Sequence, residues 1–132
     1  MLAWSISAAV ATLRLVNSQT TDAVCKTGNE GLSNSLGQSP CLMVAYMMGA
    51  CQPDGNWDIQ ALPDITFMYR GTTAEEANVC TCSSIAYMLS SACGFCQGRG
   101  YMEFGEVWIQ NCSPQDVNNG SWTRLTSIKP IG

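Results

Sequence analysis

The sequence has no histidine, and charged residues make up only 12% of the chain. The lack of histidine excludes a histidine general base, Ser–His and Cys–His nucleophile pairs, and zinc or haem held by histidine. Six Lys and Arg stand against ten Asp and Glu, which gives a net charge of −4. The basic residues are scattered and form no phosphate-binding stripe, so nucleic acid is not an expected partner.

Long hydrophobic runs are also lacking, because no uninterrupted apolar segment reaches the roughly twenty residues of a membrane span. The most apolar stretch opens the chain at residues 2–13, and Val16-Asn17-Ser18 fits a cleavage site before Gln19. We therefore expect residues 1–18 to be a secretory signal peptide, with a non-cleaved N-terminal helix as the alternative. No membrane span is expected in the remainder.

Cysteine, in contrast, is abundant. An even number of cysteines behind an export signal predicts four disulfide bonds and an extracellular location. Four thiolates could also hold zinc, but a secreted, oxidised chain argues against this, and we expect no metal and no cofactor. The cysteines predicted to form disulfides are Cys25, Cys41, Cys51, Cys80, Cys82, Cys93, Cys96 and Cys112.

Two segments have helical patterns. Ser39 followed by Pro40 predicts the start of a helix over residues 40–51. Its apolar face consists of Cys41, Val44, Ala45, Met48 and Cys51. A second helix is predicted over residues 80–96, with Ser83 and Ser84 as N-cap. Its buried stripe is expected to consist of Ile85, Met88, Leu89, Ala92, Cys93 and Cys96.

The spacing of the cysteines on these helices favours one pairing. Ten residues of helix rise about 15 Å and eleven rise about 16.5 Å, so two antiparallel helices could be bridged at both ends. We prefer Cys41 with Cys93, and Cys51 with Cys82 or Cys80. Cys25 and Cys112 would then tie the flanking segments to Cys96 and to the remaining member of the 80/82 pair. Eight cysteines allow 105 pairings, so this arrangement is a hypothesis.

The other segments are expected to surround this helix pair. Residues 29–36 could form a short helix, and residues 52–79 form a long loop that packs over the core or carries function. Alternating Ile65, Phe67 and Tyr69 predict a short extended segment in that loop. Three aromatic residues are expected to fold back across the helices: Tyr101, Phe104 and Trp108.

The predicted fold class is therefore mainly α, a small disulfide-crosslinked helical domain of two or three helices plus the long packed loop. Residues 19–112 form the cysteine-rich helical domain, and residues 113–132 form a flexible C-terminal tail. Asn111-Cys-Ser and Asn119-Gly-Ser are candidate N-glycosylation sites, and Asn119 is the better acceptor.

The sequence offers only weak evidence for catalytic groups. Cys93-Gly-Phe-Cys96 matches the C-x-x-C redox pattern, but it lies at the C-terminal end of its predicted helix, where the helix dipole disfavours a thiolate. We therefore favour a structural role. Two carboxylate pairs, Glu75-Glu76 and Glu103 with Glu106, are expected to be solvated, and no catalytic residue is predicted. Six methionines could line an apolar cavity, although core filling is favoured: Met43, Met47, Met48, Met68, Met88 and Met102.

Three motifs carry a family resemblance: the Asn34-Ser-Leu-Gly-Gln-Ser-Pro-Cys block, the segment from Cys80 to Gln97, and Trp108-Ile-Gln-Asn-Cys. They resemble secreted or membrane-anchored cysteine-rich proteins of basidiomycete fungi, for which no activity is established. The resemblance implies a fungal extracellular or cell-surface protein. A weaker similarity to the CFEM domain of fungal surface proteins covers the last five cysteines. The similarity does not extend to the first half of the chain or to the haem-binding aspartate. Haem binding, which some CFEM domains show, is therefore not expected of this chain.

The leading functional hypothesis is a non-enzymatic extracellular module at the fungal surface, with an unknown extracellular or cell-wall partner. The alternative is a small-ligand binder, for lipid, sterol or haem, that uses the methionine-rich helix interface and the 52–79 loop. A thiol oxidoreductase is the third hypothesis.

Overall fold

The computed structural model describes residues 19–26, 28–99 and 104–120. The expected signal peptide, residues 1–18, and residues 121–132 of the expected tail lie outside the described residues. The first strand, β1 (Thr20–Thr21), is followed by a 3-10 turn (Glu30–Leu32) and helix α1 (Pro40–Gly49). Strand β2 (Asp58–Ile59), helix α2 (Ser84–Cys96) and two short helices, α3 (Gly105–Trp108) and α4 (Pro114–Asn119), complete the described chain. The mainly helical fold class is confirmed.

Helix α1 forms as its sequence predicts. The Ser39 hydroxyl accepts a hydrogen bond from the Leu42 backbone N–H, and Pro40 occupies the first helical turn. The predicted apolar face is buried along the helix, with Cys51 half-buried just beyond its end. This face packs against α2 to form the centre of the core.

Helix α2 is shorter than predicted, because Cys80 and Cys82 lie in a turn before it. The Asn78 side-chain oxygen accepts hydrogen bonds from the backbone N–H groups of Cys80 and Thr81, at 2.9 and 3.1 Å. Ser83 then caps the helix by accepting from the Ala86 N–H. The Asn78 side chain thus holds residues 80 and 81 in a turn, and the Ser83 cap starts the helix at Ser84 rather than at residue 80.

The predicted buried stripe of α2 is wrong in part. Ile85 and Met88 are 56% and 59% exposed, whereas Cys93 and Cys96 are buried. The buried face is formed by small residues instead: Ser84, Ala86, Ser90, Cys93, Gly94 and Cys96. Disulfides from Cys93 and Cys96 hold the partner backbones at Cα–Cα distances of 4.6 Å, and only small side chains fit in so narrow a space.

Four disulfides crosslink the chain, and they agree with the preferred pairing. They are Cys25–Cys96, Cys41–Cys93, Cys51–Cys80 and Cys82–Cys112. The structure thus selects Cys80 as the partner of Cys51, which the spacing left open. Since Cys41 and Cys51 meet cysteines at opposite ends of α2, the two helices run antiparallel.

The loop over residues 52–79 packs differently from the expectation. Ile65 and Phe67 are 63% and 49% exposed, and no strand forms there. The Asp64 carboxylate instead accepts hydrogen bonds from the backbone N–H and hydroxyl of Thr66, which turns the chain and lowers the pKa of Asp64 below its usual range. The strand in this loop is β2, which pairs in parallel with β1 so that Thr21 faces Ile59.

The C-terminal part of the described chain also differs from the expectation. Trp108 is buried as predicted, but Phe104 is 79% exposed, and Tyr101 lies outside the described residues. The tail expected from residue 113 begins with α4, whose Ser113 N-cap accepts from the Asp116 N–H. In the ranges described above, no helix has the length and apolarity needed to cross a membrane.

Candidate ligand-binding cavity

A cavity of about 400 Å³ lies between the 57–72 part of the loop, helix α2 and Trp108. Its buried wall is formed by Met48, Ile59, Leu62, Thr81, Ser90 and Trp108. Half-buried Trp57 and Tyr69 extend this wall toward the opening. The exposed rim carries Asp58, Gln60, Pro63, Arg70 and Glu76. An aromatic and aliphatic interior with polar groups at few positions is the usual composition of a small-molecule site.

Ser90 stands out in the buried wall because its hydroxyl makes no side-chain hydrogen bond among the described residues. It is not one of their fully enclosed unpaired atoms, which in the described residues are represented by the Arg99 Nε alone, so it is reached from the cavity. The side chain is 3% exposed. The other buried hydroxyl of the wall, on Thr81, is hydrogen-bonded to backbone groups of Glu76 and Asn78. Buried polar groups are usually paired, so an unpaired hydroxyl facing a cavity is a position where a ligand can supply the missing partner.

The loop side of the cavity is held to the end of α2 by the buried side chain of Gln97. Its oxygen accepts from the Leu62 N–H at 2.9 Å, and its nitrogen donates to the Tyr69 hydroxyl at 2.9 Å. The Tyr69 hydroxyl in turn donates to the Gln60 carbonyl at 2.6 Å. Burial raises the pKa of this hydroxyl, against the opposing effect of the Gln97 hydrogen bond. Arg99 adds a second link by donating to the Leu62 carbonyl at 2.8 Å.

The β2 side of the cavity is held by the start of the described chain. Gln19 is buried and donates its side-chain amide to the Gly55 carbonyl, while its oxygen accepts from the Trp57 N–H at 2.8 Å. The Asp22 carboxylate accepts from the Ala61 N–H at 2.6 Å. These hydrogen bonds and the β1–β2 pairing fix residues 55–61, of which residues 57–61 form one wall of the cavity.

The third side is formed by Trp108. Its indole N–H donates to the Thr81 carbonyl at 3.0 Å, and its ring meets Tyr87 edge-on at 5.8 Å between centroids. The loop returns across it at Gly71, next to Thr72, whose carbonyl accepts from the Asn111 side chain at 2.9 Å. The disulfide between Cys82 and Cys112 fixes this segment to the start of α2.

Few of the cysteines and methionines considered as candidates in the sequence lie at this cavity. None of the disulfide cysteines lines the cavity, and Cys93 and Cys96 bond to different partners rather than to each other. Of the six methionines only Met48 lines it; Met43, Met47 and Met68 are half-buried elsewhere, Met88 is exposed, and Met102 lies outside the described residues. The cavity therefore lies beneath the loop rather than along a methionine-rich helix interface.

The remaining polar candidates do not form a catalytic arrangement. Glu76 reaches the rim, while Glu75 and Glu106 are exposed away from the cavity and Glu103 lies outside the described residues. Asn111 and Asn119 are both exposed, and Cys112 of the first glycosylation motif is bonded to Cys82. Within residues 19–26, 28–99 and 104–120, no cluster of three or more His, Cys, Asp or Glu side chains could hold a metal ion.

Sequence reasoning identified the loop as a candidate site but missed Ser90 and Gln97. Both lie in or beside the predicted second helix, and their polar side chains point to no chemistry by type alone. The one available signal concerns Ser90 alone, because Ala86, Ser90 and Gly94 recur every four residues along one helix face. No protein-family model, curated protein or solved structure matches this chain.

Proposed function

We propose that this chain is an extracellular, non-enzymatic module that binds a small, mainly apolar molecule in the cavity beneath its loop. The observation that carries the proposal is the cavity itself, about 400 Å³ in volume, with a buried wall that is mainly apolar. Pockets that enclose small molecules in proteins fall in the range of about 300–1,000 Å³.

The extracellular part of the proposal is supported by the disulfides. Four bonds join all eight cysteines, and disulfides persist in oxidising compartments such as the cell exterior. A secreted form would begin near Gln19 and would carry glycans at Asn111, Asn119 or both. The proposal also accommodates the fungal surface location that the resemblance implies, because binding a small molecule is compatible with attachment to a wall or membrane.

A binding role is favoured over a purely structural one by the way the cavity is maintained. Gln97, Arg99 and Gln19 fix the path of the loop with side-chain hydrogen bonds to its backbone. A loop that served only to cover the core could pack through apolar contacts alone, without side chains of other segments fixing its backbone. The hydrogen-bonded frame thus holds the cavity wall in one arrangement, which favours binding.

Binding of the neutral fluorophore N-phenyl-1-naphthylamine tests the proposal, because its emission rises in an apolar site. We expect saturable emission at one probe per chain in the oxidised protein. Ala61→Phe, which adds a ring at the half-buried cavity wall, should weaken probe binding at least tenfold. Ala74→Phe adds the same ring at an exposed position outside the cavity and serves as the matched control. Absence of saturable binding, or equal binding by the Ala61→Phe variant, would overturn the proposal.

A further inference from the structure

The chemical class of the ligand follows from where the polar groups of the cavity lie, and this inference rests on the proposed function. All the charged side chains of the cavity, Asp58, Arg70 and Glu76, are on its exposed rim. In the buried wall the polar side chains are Thr81 and Ser90, and both are uncharged. A ligand charge carried to this depth would be desolvated without a counterion, which is strongly unfavourable. The occupant of the inner cavity is therefore neutral there.

The Ser90 hydroxyl selects one polar group on that neutral ligand. Thr81 and Tyr69 are already committed, because the hydroxyl of each is hydrogen-bonded within the protein. Ser90 is 3% exposed and lines the cavity, and its hydroxyl makes no side-chain hydrogen bond to the other described residues. A serine hydroxyl both donates and accepts, so it pairs with a ligand hydroxyl or carbonyl. A pure hydrocarbon would leave the group buried and unsatisfied, which is unfavourable.

The size of the cavity sets the bulk of the ligand. An engineered cavity of about 150 Å³ holds a single benzene ring. A space of about 400 Å³ therefore accommodates a body of two or three rings, or a branched chain of equal volume. The aromatic side chains around it, Trp57, Tyr69 and Trp108, offer ring faces and edges to such a body.

We propose that the cavity takes a neutral, mainly apolar molecule of two or three rings, or equal bulk, whose single hydroxyl or carbonyl group hydrogen-bonds to Ser90. Ser90 is thus the residue that orients the ligand and distinguishes an alcohol or ketone from a hydrocarbon of the same shape. The rim charges contact solvent and the outer end of the ligand.

Three naphthalene derivatives of nearly equal size test this assignment by displacing N-phenyl-1-naphthylamine: 2-naphthol, 2-methylnaphthalene and 2-naphthoate. We expect Ser90→Ala to weaken 2-naphthol binding roughly three- to tenfold, the usual effect of one hydrogen bond. Binding of 2-methylnaphthalene should stay within about twofold, since it makes no hydrogen bond to Ser90. The wild-type protein should bind 2-naphthoate at least tenfold more weakly than 2-naphthol, because its carboxylate is charged.

Ser91→Ala is the matched control, because Ser91 is the adjacent serine on α2 and does not line the cavity. It should leave the affinity of all three compounds unchanged. Equal weakening of 2-naphthol and 2-methylnaphthalene by Ser90→Ala would show a structural role and overturn the assignment. No selective effect of Ser90→Ala, or tight binding of 2-naphthoate, would overturn it while the proposed function stands. If neither the probe nor any of these compounds binds, the proposed function itself fails.

Discussion

The loop lies directly on the backbone of Trp108 at Gly71, and a side chain there has no room. A Cβ at this position would lie 2.7 Å from the Trp108 carbonyl carbon and closer still to its oxygen. The obstacle is backbone, which cannot move aside as a flexible side chain would. Gly71→Ala is expected to lower the free energy of unfolding by about 1–3 kcal/mol, since overpacking forces the backbone to shift.

Gly31→Ala is the control for this substitution, because a Cβ at Gly31 would meet nothing within 4 Å. Urea unfolding followed by circular dichroism measures both variants. The Gly31→Ala midpoint should stay close to that of the wild type, while the Gly71→Ala midpoint falls. Equal midpoints for the two variants would contradict the close packing of loop and Trp108.

Tyr69 gives a second prediction at the residue scale, through its pKa. Burial raises the pKa of the folded-state hydroxyl above its ordinary value of 10.0. The folded state therefore keeps this proton to higher pH than the unfolded state does. The stability that depends on it is fully present below about pH 10 and is lost as the pH rises through the raised pKa.

Tyr69→Phe should remove this pH dependence. The difference in absorbance at 295 nm between the wild type and the variant should titrate above pH 10, and the urea midpoint of the wild type should fall more steeply above pH 10 than that of the variant. Tyr46→Phe removes a tyrosine hydroxyl from an exposed position and controls for the loss of one tyrosine. A difference spectrum that titrates at or below pH 10 would contradict the raised pKa of this hydroxyl.

At the scale of elements, the two main helices were not equally predictable. The sequence predicted α1 almost completely, because its N-cap, its proline and its large apolar residues all agree with its buried face. It misassigned α2, whose large apolar residues Ile85 and Met88 face outward while small residues face inward. Hydrophobic periodicity assumes that the largest apolar residues are buried, and crosslinks that draw two backbones close together break that assumption.

A pair of substitutions on α2 tests this orientation. Ala86 is fully buried against the core, whereas its neighbour Ile85 is 56% exposed. Ala86→Leu should lower the free energy of unfolding by about 1–3 kcal/mol through overpacking. Ile85→Ala should change it by less than about 0.5 kcal/mol, as exposed substitutions usually do. If Ile85→Ala is the more destabilising in urea unfolding, the stripe first expected from the sequence is the buried one.

The cavity was less predictable than the helices. Ser90 lines it and Gln97 holds its loop wall, and Gln97 does so through a contact with Leu62, a residue distant in sequence. The disulfide spacing could predict the helix pair because helical rise converts sequence separation into distance. No such conversion exists for residues 52–79, whose path is fixed by individual side-chain hydrogen bonds. The sequence therefore indicated which segment forms the site but not where the ligand would lie.

At the scale of the whole molecule, three of the four disulfides are nested. Cys25–Cys96 encloses Cys41–Cys93, which encloses Cys51–Cys80. Around the innermost loop, Cys41–Cys93 and Cys25–Cys96 therefore each close only a short additional ring, worth about 3 kcal/mol in the chain-entropy description. The two inner bridges join the helices, while the outer one joins the segment after β1 to the end of α2. The helix pair and the cavity wall thus depend on different bridges.

Removing the outer bridge should therefore open the cavity wall and leave the helix pair folded. In the double variant Cys25→Ser with Cys96→Ser, we expect a loss of about 3 kcal/mol in the free energy of unfolding. Hydrogen exchange should show lost protection at β1 and β2, retained protection in α1 and α2, and weaker binding of N-phenyl-1-naphthylamine. The control is Cys51→Ser with Cys80→Ser, which removes an inner bridge and should leave the β1–β2 pairing protected. Undiminished protection of β1 without the outer bridge would mean that Gln19 and the strand pairing alone hold this wall of the cavity.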